Sequence, residues 1–266
     1  MMSMDIARNV ALVTYGNLFL QGRDSQFDIE TLVTHNCYRL DFVEPTIAGV
    51  AGSVRTLASD AYKWFKYLKD NGVKVLKLHF ETNLESDLPD HISAAFIGGG
   101  SNWFIEAQSD HSSALYLCGW IPTESGGYDL RKTHYLHLNS ETHHLDNLVS
   151  SVNESREELS SILQELSEFA GRFDYSKHWS ENFKTSHAIL LEFEPKTDDE
   201  LLPAGIYSKE ARQLIEGALS SWVFGGMGSW NDMSFDGDDQ DLYSTLSDRL
   251  YTAICSSIVS GVNSYP

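Results

Sequence analysis

The sequence predicts an α+β fold, in which an antiparallel sheet comes mostly from the first half of the chain and packs against long helices mostly from the second half. Short apolar runs separated by turn residues lie between residues 73 and 138, and short strands with tight connections favour an antiparallel meander. From residue 145 onward, apolar residues recur mainly at the three- and four-residue spacing of helices. Because no Gly/Ser/Pro-rich linker interrupts the chain, residues 1–266 are predicted to form a single domain, in which a soft division would fall near residues 141–145.

The composition indicates a folded and strongly acidic protein. The chain has 266 residues, of which 42% are hydrophobic and 12% are aromatic, enough for a substantial core. Its formal net charge is -19, and its sequence pI is about 4.7. A field of this sign repels phosphate backbones and argues against unaided nucleic-acid binding. The charge favours a basic protein partner or a cation, or it serves solubility alone.

The cysteines and the N-terminus indicate a reducing compartment. Cys37, Cys118 and Cys255 are far apart and no CxxC pair occurs, so the sequence predicts neither a disulfide framework nor a thiolate zinc site. Residues 1–8 lack the basic and apolar regions of a secretory signal, and no apolar run approaches the roughly 20 residues of a membrane span. We therefore expect a cytoplasmic, non-membrane protein that needs no cofactor.

Residues 10–20 are apolar except at Gly16-Asn17, and they have two interpretations. One is a hairpin that turns at Gly16-Asn17. The other is a helix from Asp5 that ends at Gly16 and is followed by a strand. The sequence leaves both open.

A strand over residues 32–43, ended by Glu44-Pro45, and then a long helix are expected next. Thr46 can cap this helix, apolar residues recur at helical spacing as far as Leu68, and Asn71-Gly72 is a good end signal. The further strands are predicted at residues 73–80, 94–97, 103–106, 114–121 and 133–138, with the glycine-rich residues 98–102 as a hairpin loop.

The second half is predicted to be mainly helical. The expected elements are a helix over residues 145–169 ended by Gly171, a strand over residues 188–193, a helix from Ser208 to Trp222, and a last helix from about Asp239.

The stretch Trp222–Phe235, called here the aromatic segment, is the most unusual part of the sequence. It places two tryptophans, two phenylalanines and two methionines around three glycines, and it runs directly into an acidic stretch at residues 236–241. Glycines beside large rings indicate a closely approached backbone and rings with fixed positions. These rings either fill the core or contact a partner, and their exposure to solvent decides between the two.

The acidic stretch has three interpretations: a helix start, a surface for a basic partner, and a cation site. With Gly237 at position 6 of a calcium loop, the required bidentate glutamate at position 12 is replaced by Tyr243, so the calcium motif fails. Asp236, Asp238 and Asp239 are well placed to charge the N-terminus of the last helix. The glycines of the aromatic segment complete neither a P-loop nor GxGxxG, so phosphate binding is not indicated.

A second cluster of candidate residues is rich in histidine. His134, His137, His143 and His144 lie near Glu141 and Asp146, and imidazole and carboxylate groups are zinc ligands. The spacing is poor, because His134 and His137 on one strand point to opposite faces and no HExxH occurs. His35 and Cys37 share a strand face, but no orienting residue accompanies them.

As a strongly acidic α+β chain without catalytic motifs, the protein resembles bacterial immunity proteins that neutralise partner toxins. The resemblance is one of composition and carries no residue-level correspondence. It implies stoichiometric binding through an acidic, aromatic-lined surface, with electrostatically fast association.

The resulting hypothesis is a non-enzymatic binding protein, of the immunity or antitoxin kind, whose partner is a basic protein. Aromatic anchors ringed by carboxylates suit such an interface. The candidate interface residues are Trp222, Trp230, Asp232, Phe235, Asp236, Asp238, Asp239 and Asp241. The alternatives are a metal-dependent hydrolase that uses the residues from His134 to His144, and a structural subunit.

Overall fold

The computed structural model describes residues 4–23, 29, 33, 37–46, 54–83, 87–96, 99–121, 131–138, 150–191, 201–203 and 205–265. Its contacts divide the chain into two compact units. The sheet unit comprises Ser3–Glu81 and Asn102–Asp146, and the helical unit comprises Met1–Met2, Thr82–Ser101 and Asn147–Pro266. Residues 141–145, where the sequence indicates a soft division, lie outside the described residues.

The elements with fully described bounds in the sheet unit are a six-stranded sheet and two helices. Its strands are β1 (Cys37–Pro45), β2 (Val54–Ala58), β3 (Val73–Glu81), β4 (Asn102–Ser109), β5 (Ser113–Ile121) and β6 (Arg131–Leu138), and its helices are α1 (Met4–Leu20) and α2 (Ala61–Asp70). The strand order is β2-β1-β6-β5-β4-β3. The meander from β3 to β6 is antiparallel, as is β1 with β2, while β1 and β6 pair in parallel.

An aromatic cluster joins the helices of this unit to its sheet. The rings of Phe42 and Trp64 stack with centroids 4.1 Å apart, and Tyr135 stacks on Phe42 at 5.2 Å. Tyr116 meets Trp64 edge to face at 5.2 Å. All four side chains are buried, so part of the core of the sheet unit lies between α2 and one face of the sheet.

The helical unit contains five helices among its described residues. They are α3 (Asp90–Ser93), α4 (Val152–Gly171), α5 (Lys177–Leu191), α6 (Lys209–Ser220) and α7 (Asp238–Asn263), with short 3-10 turns at Asp174–Ser176 and Trp230–Asp232. The long helix α7 packs against α3, α4 and α6, and α5 packs against α4 and α6. No described helix is both long and apolar enough to cross a bilayer.

The predicted α+β class is confirmed, with the strands mainly in the first half and the helices mainly in the second. The predicted hairpin at Gly16-Asn17 is wrong, because α1 continues through both residues to Leu20. A Cβ atom on Gly16 would overlap the Leu76 side chain, so the glycine permits close packing of helix on sheet. Of the other alternative, the helix is confirmed, but it extends to Leu20 instead of ending at Gly16, and the strand expected directly after it is wrong for residues 17–20.

The long helix predicted from Thr46 to Leu68 is wrong at residues 54–58, whereas residues 47–53 lie outside the described ranges. Residues 54–58 form β2 and pair with β1, and α2 begins only at Ala61. Asp60 caps α2 by accepting a hydrogen bond from Lys63 N at 2.7 Å. The predicted end is confirmed, since Asn71 caps the helix and Gly72 follows with φ of 78°.

Two predicted strands are helical or turn structures instead. Ala94 and Ala95 follow α3 as a turn, with Ala94 N donating to Asp90 O at 2.8 Å, so the hairpin expected through residues 98–102 does not form. Residues 188–191 are the last turn of α5, and residues 192 and 193 lie outside the described ranges. Val33, in the strand predicted over residues 32–43, is helical.

Candidate functional site

The aromatic segment is part of the core of the helical unit. Trp230 is completely buried, and its indole N–H donates to Ser247 Oγ at 2.8 Å. Tyr243 Oη donates to the Trp230 carbonyl at 2.7 Å. Trp179 and Phe183 meet the Trp230 ring edge to face, at 5.7 and 5.2 Å. A side chain held from all these directions stabilises the fold and offers no surface to a partner.

Trp222 and Phe235 are also buried, with 7% and 6% of their surface exposed. Trp222 packs against Tyr251, with ring centroids 5.6 Å apart, and Phe235 packs against Phe169 at 4.8 Å. Their burial leaves these aromatic residues little exposed area with which to anchor a partner at the surface, although Trp222 also lines the cavity described below. Of the two alternatives that the sequence left open, the structure favours the core.

The carboxylates of the acidic stretch have different surroundings. Asp232 Oδ2 accepts a hydrogen bond from Gly228 N, and Asp239 Oδ1 forms an ion pair with Arg172 at 2.7 Å. Asp236, Asp238 and Asp241 are exposed. Asp238, Asp239 and Asp241 occupy the first turn of α7, where negative charge complements the helix dipole. This placement agrees with the helix-start interpretation, and Asp232 is exposed in addition to the three carboxylates described above as exposed.

The acidic charge is concentrated in the helical unit. That unit contains 23 aspartates and glutamates against 8 lysines and arginines, a formal charge of -15. The sheet unit contains 15 acidic and 11 basic residues, a formal charge of -4. The net charge of the chain is thus mainly a property of one unit, which the composition of the whole chain does not reveal.

The antiparallel helices α4 and α7 carry many of the exposed carboxylates among the described residues. Arg172, just after α4, pairs with Asp239 at the start of α7, and Arg249 pairs with Glu165 at 2.7 and 2.9 Å. These two ion pairs join α4 and α7 side by side. Exposed carboxylates, called here the acidic surface, belong to these two helices and the residues just before α7: Glu157, Glu158, Glu168, Asp236, Asp238 and Asp241.

A polar network joins residues 90–101 to α7. Asp90 Oδ2 accepts from Ser101 Oγ at 2.6 Å, and Ser101 N donates to Tyr251 Oη at 2.9 Å. His91 Nδ1 lies 2.6 Å from Asp248 Oδ1, although His91 itself is buried. Burial raises the pKa of the Tyr251 hydroxyl, so this group stays protonated and holds the network together.

The sequence reasoning missed this network, because His91 and Ser101 contact residues of α7 that are at least 150 positions away in the sequence. Local pattern carries no signal of such a contact. The contact between His91 and Asp248 joins α3 to α7. The Phe224 ring lies 5.9 Å from the His91 imidazole.

A second polar cluster lies on the sheet. His79 Nε2 is 3.0 Å from Glu106 Oε2, and Gln108 Nε2 donates to the same oxygen at 2.9 Å. The hydrogen bond from His79 is the main cause that lowers the pKa of Glu106. Lys77 pairs with Glu106 in the register of β3 and β4. This cluster could have been predicted from the sequence, because polar residues alternate along both strands and so share one face of the sheet.

The histidine site predicted as an alternative falls mostly outside the described residues. His143 and His144 lie there, as do His35 and the side chains of His134 and Cys37. His137 stacks on Tyr116 at 5.1 Å and lies 3.9 Å from Glu44, and burial lowers its pKa. Across the described ranges, no three His, Cys, Asp or Glu side chains are grouped so as to hold a metal ion.

A cavity of about 670 Å³ lies beside the aromatic segment, against α5. One wall consists of residues 222–229, and the other includes Trp179, Asn182 and Thr185.

Comparison of the chain with models of protein families, with curated proteins and with solved structures gives no significant match.

Proposed function

We propose that this protein is a non-enzymatic binding protein that captures a basic protein through the acidic surface of its helical unit, in the manner of an immunity protein or antitoxin. The observation that carries the proposal is the charge distribution, with -15 in the helical unit against -4 in the sheet unit. Charge concentrated in one unit speeds and orients the encounter with a partner of opposite charge.

The support of the acidic surface is rigid. Ser151 and Glu154 form a complete capping box at the start of α4, and the ion pairs with Arg172 and Arg249 join α4 to α7. The backbone that bears these carboxylates is therefore in place before binding, and only their side chains lose conformational freedom on binding. Trp230 is completely buried and takes no direct part in the interface.

The test is recovery of a partner from the native host with a tagged chain, with the proteins encoded beside it as the first candidates. We expect a basic protein that binds in a one-to-one complex, and whose affinity for the purified chain falls steeply as salt is raised. The paired reversal Glu157→Lys with Glu168→Lys should weaken binding by at least about tenfold, the scale of a disrupted charged interface.

The matched control is the paired reversal Asp70→Lys with Asp110→Lys in the sheet unit, which changes the net charge by the same amount at exposed carboxylates. We expect this control to bind like the wild type. If both reversals weaken binding equally, only the net charge matters. If no protein that binds the purified chain is recovered, the proposal fails.

A further inference from the structure

The cavity beside the aromatic segment has an uncharged lining, although it belongs to the unit with a charge of -15. Its polar side chains are amides and hydroxyls, and its apolar surface is mainly aromatic. The lining includes Trp179, Asn182, Thr185, Trp222, Gly226 and Met227. A site of this kind takes an uncharged group with one apolar side, because a buried charge would find no partner in it.

Two glycines on the cavity wall are not required by the fold. A Cβ atom on Gly226 would meet no atom within 4 Å, and one on Gly225 would meet only Ser229 Cβ, at an ordinary 3.7 Å. Neither residue has a positive φ, in contrast to Gly228 with φ of 83°. Glycine at these two positions therefore leaves the wall bare and allows another backbone to approach closely.

The same wall presents hydrogen-bond donors. In the described part of the chain, the backbone N–H groups of Gly225, Gly226 and Met227 have no hydrogen-bond acceptor. The carbonyl of Gly225 already accepts from Ser229 Oγ at 2.8 Å, and that of Gly226 accepts from Ser229 N at 3.1 Å. With these two carbonyls engaged, the open N–H groups of the glycine pair and Met227 suit a ligand that offers carbonyl oxygens.

Met227 stands at the edge of the cavity with its side chain fully exposed. A flexible thioether adapts its shape to an incoming apolar group, and methionine is common at surfaces that bind peptides. Asp232, which accepts from Gly228 N, places a carboxylate next to the same loop. The edge therefore combines an adaptable apolar group with negative charge.

We propose that this cavity is a peptide-docking groove that receives an apolar side chain from an extended segment of the partner protein, with lysine or arginine flanking that side chain. The carbonyl oxygens of the segment accept from the bare glycine wall, and the flanking cations face Asp232 and the negative charge of the helical unit. The occupant belongs to the partner of the proposed function, so this inference rests on that function and specifies part of its contact.

A neutral sugar is the competing occupant, since amides, hydroxyls and tryptophans also suit it. The charge of the helical unit gives an uncharged sugar no advantage, whereas it attracts a peptide with basic residues. The observations therefore favour the peptide, and the sugar becomes an outcome of the test.

The experiment uses a phage library of random dodecapeptides, panned on the full chain after depletion on the variant Gly226→Leu. We expect enrichment of peptides with one apolar residue between lysines or arginines. Gly226→Leu should raise the Kd of a synthetic enriched peptide by about tenfold or more, as blockage of a central pocket does. Thr245→Leu, which places a leucine at an exposed position on α7 away from the cavity lining, should leave the Kd unchanged.

A second blocking variant protects the test against misfolding. Thr185→Trp fills the groove from an exposed position on α5, so it should weaken peptide binding as Gly226→Leu does. Its free energy of unfolding in urea should match that of the wild type. The inference is overturned if no enriched peptide depends on Gly226 or Thr185. It is equally overturned if maltose, cellobiose or chitobiose, and no peptide, changes the tryptophan fluorescence in a manner that both variants abolish.

The result is separable from that of the proposed function. If reversal of Glu157 and Glu168 abolishes partner binding but no peptide depends on the cavity, the acidic surface stands and the groove is wrong. If peptides bind through the cavity but the host provides no basic partner, the groove stands and the proposed function fails.

Discussion

The side-chain amide of Asn17 forms a two-point hydrogen bond with the backbone of Leu76. Leu76 N donates to Asn17 Oδ1 at 2.7 Å, and Asn17 Nδ2 donates to the Leu76 carbonyl at 3.0 Å. Leu76 lies in β3, an edge strand of the sheet, where backbone groups would otherwise lack a neighbouring strand. A helix side chain therefore replaces part of the missing strand.

Replacement of Asn17 tests this role directly. Asn17→Ala removes both partners from buried backbone groups and should lower the free energy of unfolding by about 2–4 kcal/mol. Urea denaturation gives that value, and amide hydrogen exchange at Leu76 should accelerate specifically. Lys66→Ala, at an exposed position on α2, should change stability by less than about 0.5 kcal/mol. A Leu76 amide that keeps its protection in Asn17→Ala would contradict the interpretation.

The same two residues show why part of the fold could not be predicted. Gly16-Asn17 is a common turn pair, yet Gly16 gives room for Leu76 and Asn17 binds the Leu76 backbone. The roles of Gly16 and Asn17 both depend on a strand that lies almost sixty residues later in the sequence, and no local pattern reveals it. Val54–Ala58 is a similar case, because its apolar spacing continues into α2 while its pairing with β1 makes it a strand.

Elements with a complete local signal were predicted well. β3, β5 and α7 have clear periodicity and clear end signals, and the structure places them close to the predicted bounds. For the candidate site, the carboxylates in the first turn of α7 could be predicted because the preference for negative charge at a helix N-terminus is local. The burial of Trp222 and Trp230 could not, because composition does not distinguish a core ring from an anchor at an interface.

The bond between Trp230 and Ser247 predicts a large stability effect. Trp230→Phe keeps a ring but loses the indole N–H donor and some volume, and should cost about 1–3 kcal/mol, whereas Trp230→Ala should cost about 3–5 kcal/mol. Met227→Ala, in the same segment but fully exposed, should be nearly neutral. Chemical denaturation of the three variants compares them. Equal effects at Trp230 and Met227 would show that the segment is not part of the core.

Close packing of α7 on α6 gives another prediction. A Cβ atom on Gly261 would lie 2.5 Å from Ile215 Cγ1 and 3.3 Å from the Ala211 carbonyl. Gly261→Ala should therefore destabilise the fold by about 1–3 kcal/mol, although alanine is the better helix former by about 1 kcal/mol. In a double-mutant cycle, Ile215→Ala should relieve part of this cost. Additive effects of the two substitutions would contradict the overlap.

The ion pair between Glu165 and Arg249 predicts a specific dependence of stability on pH. Both side chains are nearly half exposed, so the pair should contribute only about 0.2–1 kcal/mol and weaken in salt. The hydrogen bond from Arg249 holds the pKa of Glu165 below its usual value of 4.5. A carboxyl group with a lowered pKa stabilises the folded state above the unfolded pKa, and this contribution disappears as the pH falls through the folded pKa. The loss of unfolding free energy caused by Arg249→Gln should therefore be largest at neutral pH and vanish in strongly acidic solution. In the Glu165→Gln background, the effect of Arg249→Gln should not depend on pH in this way. A difference that stays constant from neutral to acidic pH would show that Arg249 stabilises the helices by packing instead of charge.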